Sequence, residues 1–324
     1  MDKKNISLVI GTIYEDLNEL KILLNNLDRN INYLNEIICI VSGVCGVENR
    51  LEVLELNKIL KIKIEFIILE KIIMPGEARN IGISKSTCDY ICFLDAHPLP
   101  DSNWLSNSIK VLENKNLRGV LGKVKFMALN EFEKCFISAT YGNKPLNSFQ
   151  GSLIEKKLFQ EIGLFIPKIR SGEDAEWINR SKCFYPKMSQ SEVIPCRYIG
   201  LKGMNFFELC NKWYLYAKNT GNPKFYSQRI VYYIFSVTFS LLLAFSWNDK
   251  VANWDRNSFF YLPHVSKIMI ALIFLIYFIY RMLILPIKKK VKIFRFNLIE
   301  FIRFCFISLT LDVIKLLAFI NHKI

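Results

Sequence analysis

The chain has 324 residues, of which 52% are hydrophobic, and its formal net charge at neutral pH is +14. A basic balance of this size favours an anionic partner: nucleic acid, anionic lipid or a phosphorylated small molecule. No basic helix or aromatic nucleic-acid motif accompanies the charge, so we expect no nucleic-acid partner. The hydrophobic residues concentrate after about residue 229, which predicts a soluble part followed by a membrane part.

Strand and helix patterns alternate over the first hundred residues. Apolar runs predict buried strands at 6–10, 37–41, 62–69 and 90–94, and helical spacing predicts helices at 17–27, 49–58 and 78–86. This alternation with short connections predicts an α/β fold, a mostly parallel sheet with helices on both faces. Ligands of such sheets bind beyond the carboxyl ends of the strands. Thr12, Ser42 and Asp95 follow three of those ends, so we expect them in one cleft.

The last third of the chain has the character of a membrane region. The stretches at about 230–247 and 265–285 are apolar enough to predict two spans, since about 20 apolar residues cross a bilayer. Basic residues at 288–295 follow the second span and predict that this side, with the N-terminal domain, is cytosolic. A third apolar stretch, 298–320, carries four charges, which favour a helix lying in the interface; a third span is the alternative.

Three motifs in sequence carry the densest chemical signal. They are Pro75-Gly76-Glu77-Ala78-Arg79-Asn80-Ile81-Gly82, then Asp95-Ala96-His97, then Pro100-Asp101-Ser102-Asn103-Trp104-Leu105. Here the chain resembles the inverting family 2 glycosyltransferases of the GT-A fold, of the bacterial exopolysaccharide or surface-glycan type with C-terminal membrane helices. In that family an A-R-N-x-G helix start precedes a strand ending in Asp-x-Asp, and Pro shortly before Trp-Leu follows. The resemblance covers roughly residues 5–220.

The resemblance implies a divalent metal at the end of the fourth strand. A nucleotide-sugar donor carries a diphosphate, and a cation stabilises its charge as it leaves. Asp95 ends a buried strand, and His97 stands where the family has its second Asp. An oxygen–nitrogen pair suits Mn²⁺, and Mg²⁺ is also open. The structural alternative is a strand-end Asp that caps the next turn beside a surface His.

The resemblance also implies a nucleotide site. The loop after the first strand, with Thr12, Tyr14 and Glu15, is similar to the family's nucleotide-binding loop, where Tyr14 would stack on the base and Glu15 accept hydrogen bonds. Arg79 would contact base or phosphate. The second strand lacks the family's aspartate pair, which leaves base recognition to Ser42 or to backbone groups. The alternatives are a helix N-cap for Thr12 and a surface ion pair for Arg79.

A further segment, Gly172-Glu173-Asp174-Ala175-Glu176-Trp177, resembles the family's acceptor segment, in which a Glu-Asp pair opens a helix under the reacting sugar. The match makes Asp174 the general base, with Glu173 orienting it or binding acceptor. The alternative is two carboxylates that stabilise a helix N-terminus. Residues 206–220 are aromatic and basic and resemble the family's interfacial helix; a helix packed on the catalytic domain is the alternative.

The sequence thus predicts a catalytic domain at 1–222 followed by a membrane region at 229–324. The expected function is transfer of a sugar from a nucleotide-diphosphate sugar to a lipid-linked saccharide or growing surface glycan, with inversion at C1. The expected location is the cytosolic face of a bacterial inner membrane, with membrane lipid as a partner. Two alternatives are a polyprenyl-phosphate sugar transferase, whose Asp-Ala-Asp-Leu-Gln pattern this chain lacks, and a catalytically silent scaffold of a glycan-assembly complex, which the pair Glu173-Asp174 disfavours.

Overall fold

The computed structural model describes residues 4–169, 171–190, 193–201, 203–218, 237–238, 240–241 and 245–320. The span predicted at 230–247 lies largely outside the described residues.

Seven strands form one sheet with the order β3-β2-β1-β4-β6-β5-β7. The strands are β1 (Ile6–Ile13), β2 (Glu36–Ser42), β3 (Ile64–Leu69), β4 (Tyr90–Asp95), β5 (Gly119–Met127), β6 (Leu146–Glu155) and β7 (Cys196–Ile199). Strands β1 to β4 are parallel, β6 is antiparallel to β4 and β5, and β7 is parallel to β5. The predicted α/β fold with a mostly parallel sheet is therefore confirmed.

Eight helices accompany this sheet: α1 (Leu17–Asn26), α2 (Val47–Glu55), α3 (Pro75–Lys85), α4 (Trp104–Asn114), α5 (Glu131–Ala139), α6 (Lys156–Ile162), α7 (Glu173–Phe184) and α8 (Phe206–Lys218). Helix α3 begins at Pro75 rather than at Ala78, because a proline suits the first helical turn, where no N–H bond is lost. Helix α1 begins at Leu17, with Asp16 at the N-cap position. The N-cap alternative for Thr12 is therefore wrong.

Helices cover both faces of the sheet because alternate strand residues point to opposite sides. On one face Leu8 and Ile10 join a core with residues of α1 and α4. On the other face Val9 joins a core with residues of α3, α6 and α7. The second core contains a cluster of mutually contacting rings, which are Phe93, Phe149, Phe159, Phe165 and Trp177. This aromatic cluster is the part of the core against which α3 and α7 pack.

Gly82 explains part of the A-R-N-x-G motif. A Cβ at this position would lie 2.2 Å from Cγ1 of Val9, so a larger residue would collide with β1. Helix α3 can therefore lie directly against β1 only with glycine here. This close approach fixes the distance between Arg79 on α3 and the carboxyl end of the neighbouring strands.

Two helices at the C-terminal end pack on the catalytic domain. Among the described residues one helix, Lys267–Lys288, is long and apolar enough by length and composition to cross a bilayer, and it overlaps the span predicted at 265–285. We call it the apolar helix; it contains a π-helical turn at Ile279–Ile284. The C-terminal helix, Leu298–Ile320, shares a buried core with α5 and α8.

The charges of the C-terminal helix have partners within the protein. Glu300 pairs with Lys134 of α5 at 2.5 Å, and Arg303 pairs with Glu131 at 3.2 Å. Asp312 pairs with Arg281 of the apolar helix at 2.6 Å. These charges, which in the sequence argued against a membrane span, serve to attach this helix to its neighbours. Its placement in a lipid interface stays a prediction.

Candidate active site

The register of the parallel strands collects polar residues at one edge of the sheet. Gly11 of β1 lies beside Asp95 of β4, and Ile13 lies beside Ser42 of β2. The Ser42 hydroxyl donates to the Thr12 carbonyl oxygen at 3.4 Å. Thr12, Ser42 and Asp95 therefore share the carboxyl edge of the sheet, where a ligand of a parallel sheet binds.

Arg79 lies at the centre of this edge and is 4% exposed. Its guanidinium donates from Nη1 to Oε1 of Glu173 at 2.7 Å and from Nη2 to Oδ1 of Asp95 at 3.3 Å. The guanidinium carbon is 5.4 Å from the ring centre of Phe165 and 5.9 Å from that of Phe149. One buried cation thus joins the end of β4 to the start of α7. Its contact with a nucleotide stays a prediction.

Carboxyl groups outnumber cations at this centre. Burial by itself would lower the pKa of Arg79, but the charges of Asp95, Glu173 and Asp174 raise it above its ordinary value. Burial raises the pKa of Glu173, and the ion pair with Arg79 opposes that rise. Two carboxyl groups thus bond one guanidinium and the charge of a third acts on it, and this surplus of acidic groups favours an additional cation.

Helix α7 presents its two acidic residues differently. Gly172 precedes it with φ of +83°, a left-handed conformation that favours glycine. Glu173 is buried, whereas Asp174 is half-buried, accepts a hydrogen bond from the Ala175 backbone N–H at 2.7 Å and forms no ion pair within the described chain. The carboxylate of Asp174 is therefore the member of the pair that remains available to a ligand.

Asn80 and Gln150 hold the site together, and sequence reasoning assigned neither a role. The amide of Asn80 donates to the Phe165 carbonyl at 2.9 Å and accepts from the Phe165 N–H at 3.0 Å. The side-chain oxygen of Gln150 accepts from the backbone N–H of Asp95 at 2.6 Å. Asn80 stood inside a motif singled out above, whereas Gln150 lies on β6, outside those motifs. The missing information was their partners, which lie 85 and 55 residues away in the chain.

His97 is paired with Asp16, a second residue without an assigned role. The Nε2 atom of His97 lies 2.9 Å from Oδ2 of Asp16, and the two side chains are 18% and 19% exposed. Metal-binding histidines commonly use one ring nitrogen for the metal and donate the other N–H to a carboxylate. The pair has the chemistry for that arrangement, with Nδ1 left for the metal.

The donor set at this edge fits a divalent cation shared with a phosphate ligand. The Asp95 side chain is 31% exposed, and one of its oxygens is bonded to Arg79. No group of three or more His, Cys, Asp or Glu residues in the described ranges could hold a metal. The protein would thus supply Asp95 and His97 only, and a diphosphate would supply further oxygens, as is common for Mg²⁺.

The first loop lies on a short 3₁₀ turn, Tyr14–Asp16, directly after β1. The hydroxyl of Tyr14 donates to Oε2 of Glu52 on α2 at 2.5 Å, and this hydrogen bond raises the pKa of Tyr14. Glu15 is exposed. The turn therefore holds Tyr14 against α2 and leaves Glu15 accessible, and the nucleotide contacts of both stay predictions.

The chain thus places carboxylates, an arginine and a histidine at the carboxyl edge of its sheet, where α/β enzymes bind their ligands. The sequence profile of Glycosyl transferase family 2 matches residues 7–169, half of the chain, and the chain therefore belongs to that family. An "Uncharacterized glycosyltransferase" of Rickettsia bellii is 34% identical over 124 residues, which cover 33% of this chain and 17% of that protein. The chain thus matches less than a fifth of that relative's length.

Solved structures with a similar fold include two of S. aureus TarS 1-349, one described as a complex with UDP-GlcNAc and one described without a ligand. Both are 15% identical to this chain and cover 76% of it. The match covers 76% of the chain in the complex, with a TM-score of 0.43, and 75% of the other chain, with a TM-score of 0.41. A similarity of this degree assigns neither a donor nor an acceptor to this chain.

Proposed function

We propose that the chain transfers a sugar from a nucleotide-diphosphate sugar to a lipid-linked saccharide or growing surface glycan, with inversion at C1. The observation that carries the proposal is the buried Arg79, which bonds both Asp95 and Glu173. This contact brings a carboxylate suited to a metal and a carboxylate pair suited to a base into one cleft. Family membership supports sugar transfer as the reaction.

The chemistry follows from the carboxylates on the two sides of Arg79. Asp174 takes the proton of the acceptor hydroxyl as that oxygen attacks C1 of the donor sugar. The bond between C1 and the diphosphate oxygen breaks on the opposite face, and its electron pair leaves with the nucleoside diphosphate. Asp95 and His97 would hold Mn²⁺ or Mg²⁺, which when bound would neutralise charge on that leaving group.

The remaining polar residues of the edge bind and align. Thr12 and Ser42 lie beside the strand ends, and Tyr14 and Glu15 lie on the turn above them, where a base and ribose would bind. Arg79 keeps Glu173 ion-paired and so fixes the start of α7, from which Asp174 extends. Correct orientation of a base toward its proton is a large part of its catalytic effect.

A membrane location is part of the same proposal. The apolar helix has the length and composition of a span, and the basic residues at 288–295 follow it directly. Positive residues flank the cytosolic end of spans, which supports a catalytic domain at 1–222 on the cytosolic face and a membrane region at 229–324. An acceptor carried by a lipid of the inner membrane would be presented at that face.

The first test is a screen of nucleotide sugars with the full chain in detergent and Mn²⁺. Binding of the correct donor raises the unfolding temperature, with a stabilisation that grows with the logarithm of donor concentration over Kd, and slow donor hydrolysis reports the leaving-group chemistry. We expect one donor or a small group of donors to do both. If no nucleotide sugar protects the protein and none is hydrolysed, the proposed function is wrong.

The second test separates a catalytic base from a structural carboxylate. Asp174→Asn should lower kcat by about 10² to 10⁴, with donor affinity nearly unchanged, because only proton removal is lost. Glu176→Gln is the matched control, since it removes another carboxylate from the first turn of α7, where Glu176 pairs with Arg180. Transfer by Asp174→Asn at close to the parental rate would exclude Asp174 as the base.

A further inference from the structure

A second buried arginine lies where the apolar helix meets the catalytic domain. Arg281 is 5% exposed. Its Nε donates to Oδ2 of Asp312 at 2.6 Å, and its Nη2 donates to the Ala139 carbonyl, at the end of α5, at 3.2 Å. The hydroxyl of Tyr277 donates to the same Asp312 oxygen at 3.0 Å. These contacts join the apolar helix, the C-terminal helix and α5.

Two lysines complete a cationic cluster with Arg281. Lys315 lies 3.6 Å from Oδ1 of Asp312, and Lys289 donates to the Thr140 carbonyl oxygen. Burial, with the charges of Arg281 and Lys315, lowers the pKa of Lys289 to about 8. Three cations thus surround one carboxylate. A partly buried surplus of positive charge is costly unless an anion balances it.

The cationic cluster is reachable from outside and lies at the end of the apolar helix. The side chains of Asp312 and Lys315 keep 30% and 34% of their surface exposed. Lys289 comes directly after the helix Lys267–Lys288, whose length and composition suit a bilayer crossing. The phosphate groups of lipids lie just beyond the hydrocarbon region, so this is the level at which a lipid phosphate would meet the cluster.

A row of aromatic side chains connects the cationic cluster to the catalytic edge. Lys315 lies 5.5 Å over the ring of Trp213, which is 5.8 Å from Tyr141. Tyr141 stacks on Phe126 at 3.6 Å, and Phe126 stacks on Tyr198 at 4.8 Å. We call these four residues, Tyr198, Phe126, Tyr141 and Trp213, the aromatic row.

The near end of the aromatic row lies next to the segment that follows β4. Arg197, which precedes Tyr198 in β7, exchanges backbone hydrogen bonds with Leu99, four residues after Asp95. Burial raises the pKa of Tyr198, and the charge of Asp95 raises it further. The hydroxyl of Ser171, just before α7, donates to the Tyr216 carbonyl on α8 at 3.1 Å. Helix α8, which carries Trp213, is therefore attached to the loop that precedes Glu173 and Asp174.

We propose that Arg281, Lys289 and Lys315 bind the phosphate or diphosphate group of the lipid-linked acceptor, and that the aromatic row lines the path from this group to Asp174. The acceptor role rests on the proposed function; the binding of a lipid phosphate does not. All four residues of the row are half-buried, so the ring edges left uncovered by their mutual stacking supply apolar surface for the part of the acceptor next to its phosphate.

Binding is tested with farnesyl diphosphate, a short lipid diphosphate, titrated calorimetrically into the full chain in detergent. Lys315→Gln and Lys289→Gln should each raise Kd by about tenfold or more, because each removes a charge-assisted contact to the diphosphate. Lys288→Gln and Lys290→Gln change exposed neighbours and should shift Kd less than about twofold. Kd values unchanged in both Lys315→Gln and Lys289→Gln would overturn the site, provided near-ultraviolet circular dichroism shows both variants folded.

Two further binding experiments identify the source of the phosphate group. Inorganic pyrophosphate should bind more weakly than farnesyl diphosphate, and phosphatidylglycerol vesicles should compete poorly. Equal binding of pyrophosphate, or full displacement by phosphatidylglycerol, would overturn the lipid-linked acceptor as the ligand. Asp174→Asn should leave farnesyl diphosphate binding unchanged, so a failure of sugar transfer is distinguishable from a failure of this site.

Discussion

The two buried arginines differ in the sign of the charge that surrounds them. Arg79 bonds the carboxyl groups of Asp95 and Glu173, and Asp174 also acts on it. Among the described residues Arg281 pairs with one carboxyl group, that of Asp312, and two lysines lie in the same cluster. The first centre has a surplus of acid and the second a surplus of base. The comparison teaches that the unbalanced sign at each centre favours a partner of opposite charge, for which we propose a divalent cation at the first and a phosphate at the second.

The two centres also differ in what they join. Arg79 connects elements inside the catalytic domain and lies on an aromatic core. Arg281 connects the catalytic domain to the two C-terminal helices. Loss of the first arginine should therefore disturb the active site directly, whereas loss of the second should loosen the attachment of the helices.

The largest expected effect is the loss of Arg79. Arg79→Met leaves two buried or half-buried carboxyl groups without their cation and should lower the free energy of unfolding by about 3–5 kcal/mol. Arg281→Met should cost clearly less, because Lys315 still lies 3.6 Å from Asp312. Urea unfolding of both variants, followed by near-ultraviolet circular dichroism, measures the difference. Equal decreases in the free energy of unfolding of the two variants would contradict the comparison.

An intermediate effect is expected at the metal side of the first centre. Asp16→Asn removes the carboxylate that holds His97 and should weaken Mn²⁺ binding by about 10- to 100-fold. Electron paramagnetic resonance of Mn²⁺ in the presence of the donor found in the screen gives the affinity without turnover.

Three companion variants sharpen that measurement. Glu19→Gln removes a first-turn carboxylate from the same helix, α1, and should leave Mn²⁺ affinity unchanged. Asp95→Asn should abolish metal-dependent turnover, while His97→Asp should retain activity because an oxygen ligand replaces the nitrogen. Normal Mn²⁺ affinity in Asp16→Asn would show that Asp16 does not position His97.

The smallest expected effect is a pH dependence from the second centre. The pKa of Lys289 lies at about 8 in the folded chain, below its ordinary value of 10.5. Between these two values the unfolded chain binds more protons than the folded chain, so the contribution of Lys289 to stability rises with pH from about 8 to about 10.5. The charged groups facing it are Arg281, Lys315 and Asp312.

The measurement is the difference in unfolding free energy between the parent chain and Lys289→Gln at several pH values. The difference in unfolding free energy in favour of the parent chain should increase as pH rises through this window. Bound farnesyl diphosphate should reduce that increase, because an anion favours the charged lysine. A difference independent of pH would show that Lys289 is not desolvated in the cluster.

The sequence by itself determined the parallel half of the sheet and the location of its ligand edge. Continuous apolar runs and helical spacing are local patterns, and they predicted β1 to β4 with the helices between them. The convergence of Thr12, Ser42 and Asp95 followed from topology alone, since the carboxyl ends of parallel strands share one edge. Helix boundaries such as Pro75 were less exact because several residues suit a first turn.

Only the tertiary structure decided how the charged groups pair. Arg79 and Glu173 are 94 residues apart, and Arg281 and Ala139 are 142 residues apart, so no local pattern connects them. The C-terminal helix shows the same limit: its charges predicted an interfacial helix, yet several form ion pairs with the catalytic domain and the apolar helix. A sequence gives the type and spacing of charges. The free energy of a charge depends on the partner and the burial that folding brings to it, and these are properties of the assembled chain.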